Sequence, residues 1–258
     1  MPKKLNELGY DDWGFSPQDA KLLMTLGRQI YRYFRPVVTG IENVPAGRTL
    51  LICNHSGQLP FDGMVVGMSM VLDARPPRIV RAMVERWLPT LPWISTLFYR
   101  TGQVVGDPVN CEHLLRQDNA IIVFPEGAAG CGKTIWHRYD LVRFGRGFMR
   151  LALKTNTPIL PVGIVGAEES IPSIYDFKPL ARLLGMPYLP VTPHSLVLGP
   201  LGLLPLPTRF YLNFGKPMLF EGDHDAPDEV INEKVERVKD GIREMIGHGL
   251  RQRKGLFR

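Results

Sequence analysis

Two short blocks of this chain carry side chains able to move a proton. The first runs Asn54-His55-Ser56-Gly57-Gln58-Leu59-Pro60-Phe61-Asp62, and the second is Phe124-Pro125-Glu126-Gly127. An imidazole with a carboxylate in reach has the makings of a general base: the ring takes the proton, and the acid sets its tautomer and steadies the cation. A lone histidine is more often structural. His55, however, is the one histidine of six set between an apolar run and glycine-containing turn residues. His113, His137, His194, His224 and His248 read as surface or packing residues.

Positioning these groups requires a sheet. Both blocks follow apolar runs, residues 49–53 and 120–123, that read as buried strands. They therefore fall just past strand ends, where open α/β sheets bind ligands. Around them, Ser16-Pro17-Gln18-Asp19 is a helix start: a capping serine, a proline in the first turn and an acid behind it. Leu22, Leu23, Leu26, Ile30, Tyr33 and Phe34 recur at helical spacing, a stripe expected to pack on the domain, with a bilayer surface as the lesser alternative, and the helix should stop near Arg35-Pro36. Further strands are expected over 37–41, 78–84, 102–105, 158–165 and 208–214. Helices are expected from Asp62 to 72, after Asp107-Pro108, over 145–155 and over 228–246. Strands alternating with helices predict an α/β fold: a single domain with a mostly parallel mixed central sheet flanked by helices, over residues 37–258. An amphipathic helical segment, residues 1–36, precedes it.

Composition narrows the partners. The chain has 258 residues, a net charge of +6 and 45% hydrophobic residues, enough for a sizeable core. The positive balance favours an anionic partner, such as an acidic lipid surface or a phosphorylated substrate. No nucleic-acid-binding signature is present, so nucleic acid is not an expected partner. Cys53, Cys111 and Cys131 are odd in number and scattered, which fits a reducing compartment and offers no zinc spacing. No secretory signal and no clean membrane-spanning run is read. Residues 183–208 have no formal charge and are rich in leucine, but six prolines forbid a continuous helix. Such a segment is a candidate membrane-contacting or acyl-chain-contacting patch, weighed equally against a core-covering connector. The Trp87/Trp93 region and the basic tail from Arg251 are further candidate contacts with anionic headgroups.

The ordered blocks resemble the glycerol-phosphate and lysophosphatidic acid acyltransferase superfamily. His55 and Asp62 resemble its His-x4-Asp motif, Gly102-Gln103-Val104-Val105-Gly106 its middle motif, Phe124-Pro125-Glu126-Gly127 its Phe-Pro-Glu-Gly motif, and Ile159-Leu160-Pro161-Val162 its late apolar motif. The likeness covers residues 37–166, with weaker similarity to 217. Residues 138–148 also resemble a branch related to neutral-glyceride acyltransferases. Two departures stand out. Six residues, not four, separate His55 from Asp62, and the insertion carries Gly57 and Pro60, which can form a tight turn. The basic residue used for glycerol phosphate is replaced by Asp107 and Pro108, with Arg100 as the candidate substitute. That gap favours a neutral or lysolipid acceptor.

The resemblance implies transfer of a fatty acyl group from acyl-coenzyme A or acyl carrier protein to a glycerolipid or lysophospholipid hydroxyl, in one displacement. His55 would be the base and Asp62 its orienting acid. Phe124, Pro125, Glu126 and Gly127 would bind substrate, with backbone N–H groups near Gly127 meeting the oxyanion and Glu126 holding acceptor hydroxyls or shaping the loop. No metal or cofactor is required beyond the thioester co-substrate. The expected location is the cytoplasmic face of a membrane, peripheral or monotopic. A competing reading is a phosphate-binding loop, because residues 127–134 satisfy Gly-x4-Gly-Lys-Thr after a strand; such a match arises by chance on the order of one per cent of the time. Glu126 beside a triphosphate and the lack of a downstream strand ending in Asp count against it. Lys133 would, in either case, meet phosphates. A non-catalytic lipid-binding module is the remaining alternative.

Overall fold

The computed structural model describes residues 5–84, 94–183 and 185–257. Within them, seven strands form one sheet: β1 (Val37–Thr39), β2 (Thr49–Cys53), β3 (Val80–Val84), β4 (Val104–Val105), β5 (Ala120–Val123), β6 (Ile159–Val165) and β9 (Tyr211–Phe214). Their order is β1-β9-β6-β2-β5-β3-β4. All neighbours are parallel except β6 and β9. Two short strands, β7 (Tyr175–Asp176) and β8 (Pro190–Val191), form a separate antiparallel pair.

The helices are α1 (Pro17–Phe34), α2 (Phe61–Leu72), α3 (Ile94–Thr101), α4 (Pro108–Arg116), α5 (Ala128–Cys131), α6 (Gly147–Thr155), α7 (Lys178–Leu183), α8 (Ser195–Leu198) and α9 (Asp228–Gln252). The pleat of β2 shows how they are layered. Leu50 and Ile52 face α4, α6 and α9, in a core with Leu114, Met149, Val238 and Ile242. Leu51 and Cys53 face the other way, onto α1 and α2 through Phe34, Val66 and Met70. Alternation by two along a strand buried on both faces gives this three-layer arrangement.

Local signals set most element ends. The Ser16 hydroxyl accepts the Asp19 N–H at 3.2 Å, and Arg35 closes α1 in the left-handed region at φ 45°. Asp107 caps α4 by accepting the Val109 N–H at 2.9 Å. One expectation is corrected. The face α1 buries is Ala20, Gly27 and Phe34, while Leu22, Leu26 and Tyr33 of the expected packing stripe are exposed. Gly27 lies so close to Met68 that a Cβ there would be 2.9 Å from its sulfur, so small residues, not leucines, seat this helix. Phe34 completes the contact by stacking on Phe210 at 4.3 Å between ring centroids.

Candidate active site

The central strand delivers His55. Where β2 ends, the fully buried Asn54 takes over its hydrogen bonding: its amide donates to Ile164 O at 3.0 Å and accepts from Ile164 N at 2.7 Å. The chain then reverses through Gly57, at φ 80° and under the Ala167 carbonyl, where a Cβ would approach to 2.9 Å. Pro60 precedes α2, so Asp62 falls in the helix's first turn. This turn absorbs the two extra residues of the first motif.

The result is direct contact. His55 Nδ1 lies 2.6 Å from Asp62 Oδ2, and the carboxylate also accepts Ser56 N at 2.9 Å and Gly63 N at 2.7 Å. Asp62 is completely buried. An acid accepting at Nδ1 fixes the tautomer that leaves Nε2 as the basic atom. Burial alone would lower the His55 pKa, but the charge and hydrogen bond of Asp62, with the Cys131 contact, outweigh it and hold it well above the ordinary value. Phe124 stacks on the imidazole at 4.2 Å and 25°. Only 15% of the His55 side chain is exposed.

The second block braces the first. Glu126 Oε1 accepts the His55 N–H at 2.8 Å, and Oε2 accepts Val142 N at 3.0 Å. Both oxygens are thus spent inside the protein, which supports the loop-shaping role over direct contact with acceptor hydroxyls. Pro125 O accepts Gly145 N at 2.9 Å. Gly127, at φ 56°, donates its N–H to Phe124 O at 3.1 Å, so that group is already engaged. Gly130 fits between the blocks because it has no side chain. A Cβ there would stand 2.7 Å from Glu126 Cβ and 2.8 Å from His55 Cβ.

Two expected substrate contacts are placed elsewhere. Lys133 is 6% exposed and spent on internal partners: Glu168 Oε1 at 2.8 Å, Glu126 Oε2 at 3.7 Å and Asp140 O at 2.9 Å. A phosphate loop also needs its Gly-Lys-Thr at the start of a helix. Here residues 132–134 follow the end of the four-residue α5, so the phosphate-loop geometry is not formed. Arg100 lies in the last turn of α3, just ahead of β4, which is three strands from β2, and so toward the opposite end of the parallel sheet from His55. It pairs with Asp19 at 3.4 Å and sits over the Tyr10 ring.

In the basic tail Arg251 and Lys254 are exposed, whereas Arg253 turns inward, donating to Glu169 Oε1 at 2.6 Å and to Tyr139 Oη at 3.0 Å. Trp87 and Trp93 lie outside the described residues. Asp223, His224 and Asp225 are the described trio whose ligand atoms come within 4.8 Å of one another. Their loop is braced instead by Arg150, which donates to His224 O at 2.6 Å.

Sequence reasoning missed several groups around the imidazole. Cys131 Sγ lies 2.9 Å from His55 Nε2. Glu168 accepts Tyr139 N, and burial pushes its pKa up to about 7 despite the neighbouring Lys133 ammonium. Tyr188 donates to Gln58 O at 2.8 Å, and Gln58 donates to Lys133 O at 2.9 Å. One signal was available for Glu168 and Glu169: they follow β6 as the two motifs follow β2 and β5. Cys131 had none, since it lay inside the phosphate-loop pattern.

A parallel-rich sheet, with a histidine–carboxylate pair at the finishing end of its central strand, is the framework of a group-transfer enzyme. The chain belongs to the acyltransferase family, which matches residues 35–165. It is 35% identical over 254 residues to an uncharacterized protein of Mycobacterium tuberculosis, covering 96% of this chain and 71% of that one. It is 26% identical over 149 residues to the 1-acyl-sn-glycerol-3-phosphate acyltransferase alpha of Mus musculus, covering 55% of this chain and 49% of that protein. The fold is similar to the crystal structure of the 1-acyl-sn-glycerophosphate acyltransferase PlsC from Thermotoga maritima, with a TM-score of 0.56 and 19% identity over 88% of this chain and 79% of that one.

Proposed function

We propose that this protein transfers a fatty acyl group from a thioester, acyl-coenzyme A or acyl-acyl carrier protein, to a hydroxyl of a glycerolipid or lysophospholipid. The observation that carries this reading is the 2.6 Å contact between His55 and Asp62, made across a spacing wider than the family's pattern. His55 Nε2 removes the proton of the attacking group, and Asp62 keeps the ring oriented and steadies the imidazolium. The oxyanion of the tetrahedral intermediate needs N–H donors. Ala128 and Ala129 supply them, because the first N–H groups of a helix have no partner within it. Glu126, between His55 N and Val142 N, holds the two loops in register while charge develops.

The acceptor is a neutral glyceride or lysolipid hydroxyl rather than glycerol 3-phosphate. Arg100 lies toward the opposite end of the sheet from His55, and the Lys133 side chain is buried between carboxylates, which supports an acceptor without a small phosphate.

The enzyme works at the cytoplasmic face of a membrane, bound peripherally or monotopically. Leu196 and Val197 are 69% and 83% exposed, and Leu201, Leu204, Leu22 and Leu26 are exposed too. Tyr33 of α1 donates to Pro205 O at 2.6 Å, joining the two leucine-bearing segments. An apolar patch of this kind suits lipid contact. None of the described helices is long and apolar enough to cross a membrane.

Purified protein incubated with radiolabelled acyl-coenzyme A and a panel of glycerol 3-phosphate, lysophospholipids, monoacylglycerol and diacylglycerol tests the reading. Labelled ester formed by the wild type and absent with His55→Ala supports it. No labelled product with any acceptor rejects it.

A further inference from the structure

A second concave surface lies apart from the imidazole. Arg138, Tyr139, Leu250, Arg253, Lys254 and Gly255 line an open cavity of about 460 Å³, and three of these six residues are basic. Arg253 is already balanced, because Glu169 Oε1 accepts its guanidinium at 2.6 Å. Arg138 and Lys254 are not. Both are exposed, and no acidic side chain among the described residues pairs with either; Arg138 donates to the Ile135 carbonyl at 3.3 Å. Asp140, two residues along, turns to His137 at 3.4 Å. The cavity thus carries two positive charges without counter-ions of their own.

One loop joins this cavity to the histidine. Tyr139 sits in the left-handed region at φ 68°, which a tyrosine adopts only under tertiary constraint. Glu168 accepts its N–H, Glu169 accepts its hydroxyl proton at 2.7 Å, and Gly166 N donates to its Oη at 3.2 Å. Gly166 directly follows β6, the parallel neighbour of β2, so the cavity opens at the same end of the sheet as His55. Three residues beyond Tyr139, Val142 N donates to Glu126, whose other oxygen holds the His55 N–H. His55, Asp62 and Glu126 do not line the cavity. The buried Lys133–Glu168 pair stands between the two sites.

We propose that this cavity binds the phosphate-bearing nucleotide end of the acyl donor, which makes the donor a coenzyme A thioester rather than an acyl carrier protein. This rests on the acyl-transfer function proposed above. Convergent cationic side chains around a cavity of this size suit a phosphorylated small molecule, and Leu250, 41% exposed, offers an apolar surface to the base. Separation from the imidazole selects the donor over the acceptor. In a lysophospholipid the phosphate is a few bonds from the reacting hydroxyl, so it would lie beside His55. In coenzyme A the whole pantetheine arm separates the thioester from the diphosphate and the 3′-phosphate. Phosphates held by Arg138 and Lys254 therefore leave the carbonyl free to reach the histidine. The prosthetic arm of a carrier protein has no adenosine 3′-phosphate and would leave these charges unmatched.

The test uses the full chain as wild type and as the double variant Arg138→Ala with Lys254→Ala, with folding checked by a thermal melt. Free coenzyme A and 3′-dephospho-coenzyme A are titrated by calorimetry. Wild type is expected to prefer coenzyme A by about tenfold or more, the worth of one charge-assisted hydrogen bond, and the double variant should lose that preference. Its KM for palmitoyl-coenzyme A should rise by a similar factor, with a smaller change in kcat. Equal coenzyme A affinity in the two proteins, or no binding by either, overturns the site, and labelled ester formed by the same wild type keeps the transfer reaction. Unchanged coenzyme A affinity with lost flotation on phosphatidylglycerol vesicles gives the cavity to a lipid headgroup and also overturns it. Wild type that binds coenzyme A with the expected preference, lost in the double variant, yet acylates no acceptor upholds the nucleotide site and rejects the acyl-transfer function.

Discussion

Glu126 accepts the main-chain N–H of His55 at 2.8 Å, so the carboxylate of one motif fixes the backbone of the other. The contact spans two parallel strands paired in register, with Ile52 beside Val123. Each loop leaves its strand at the same level, and the side chain of one reaches the main chain of the next. The proposed proton transfer depends on that register as much as on the His55–Asp62 pair.

His55→Ala should abolish acyl transfer without unfolding the protein. Asp62→Asn should be nearly as severe, with a loss of about 10³- to 10⁴-fold in turnover, because an amide donating to Nδ1 imposes the wrong tautomer. Steady-state turnover beside circular dichroism checks both. An Asp62→Asn enzyme within tenfold of wild type would remove the orienting role.

Gly130→Ala places a methyl group into His55 and Glu126. The loop must move, so activity should fall by at least tenfold while the strands remain intact. Turnover and a thermal melt of the variant distinguish local displacement from global loss.

Lys133→Ala removes the ammonium shared by Glu126 and Glu168. Leaving buried carboxylates uncompensated should cost about 3 kcal/mol of stability, measurable by urea denaturation. Folded wild type should show no ATP binding by calorimetry. Saturable binding lost with this substitution would restore the phosphate-loop reading.

Glu168 gives stability a pH dependence of known sign. Burial raises its folded pKa to about 7, above the ordinary carboxylate value of about 4.3, so the folded state holds this proton more tightly than the unfolded one. Its contribution is full below the unfolded value and is lost as pH rises from about 4.5 through 7. Glu168→Gln should remove this component, and denaturation midpoints across pH 4.5–8 compare the two slopes. Identical slopes would show that Glu168 does not titrate there.

Leu196→Ser with Leu201→Ser should weaken flotation with anionic vesicles while leaving the fold unchanged. Each exposed leucine buried in lipid contributes about 1–2 kcal/mol, so the pair should lower vesicle affinity by at least tenfold. Unchanged flotation would move the membrane contact elsewhere on the surface.

The fold was largely legible because its signals are local. Ser16 and Asp107 cap the helices their sequence patterns predict, and the apolar runs became central strands. The His55–Asp62 contact was half legible: Gly57 and Pro60 announced a turn, but its closure depended on the whole loop. The packing stripe of α1 was partly right, since Ile30 and Phe34 meet the core while Leu22, Leu26 and Tyr33 are exposed; periodicity records which residues share a face, not which face the protein covers. Gly27 against Met68 decided that.

Sequence by itself determined the residue types at the strand ends, the α/β alternation and the choice of His55 and Asp62 as candidate base and acid. These rest on dihedral preferences and hydrophobic alternation, properties of neighbours along the chain. Tertiary structure alone decided that Lys133 turns inward to Glu168, that Arg100 belongs to Asp19, and that Cys131 meets His55 Nε2. Such pairings join residues far apart in the chain. They follow from strand order, register and the close approach of Gly130, and no local pattern encodes them.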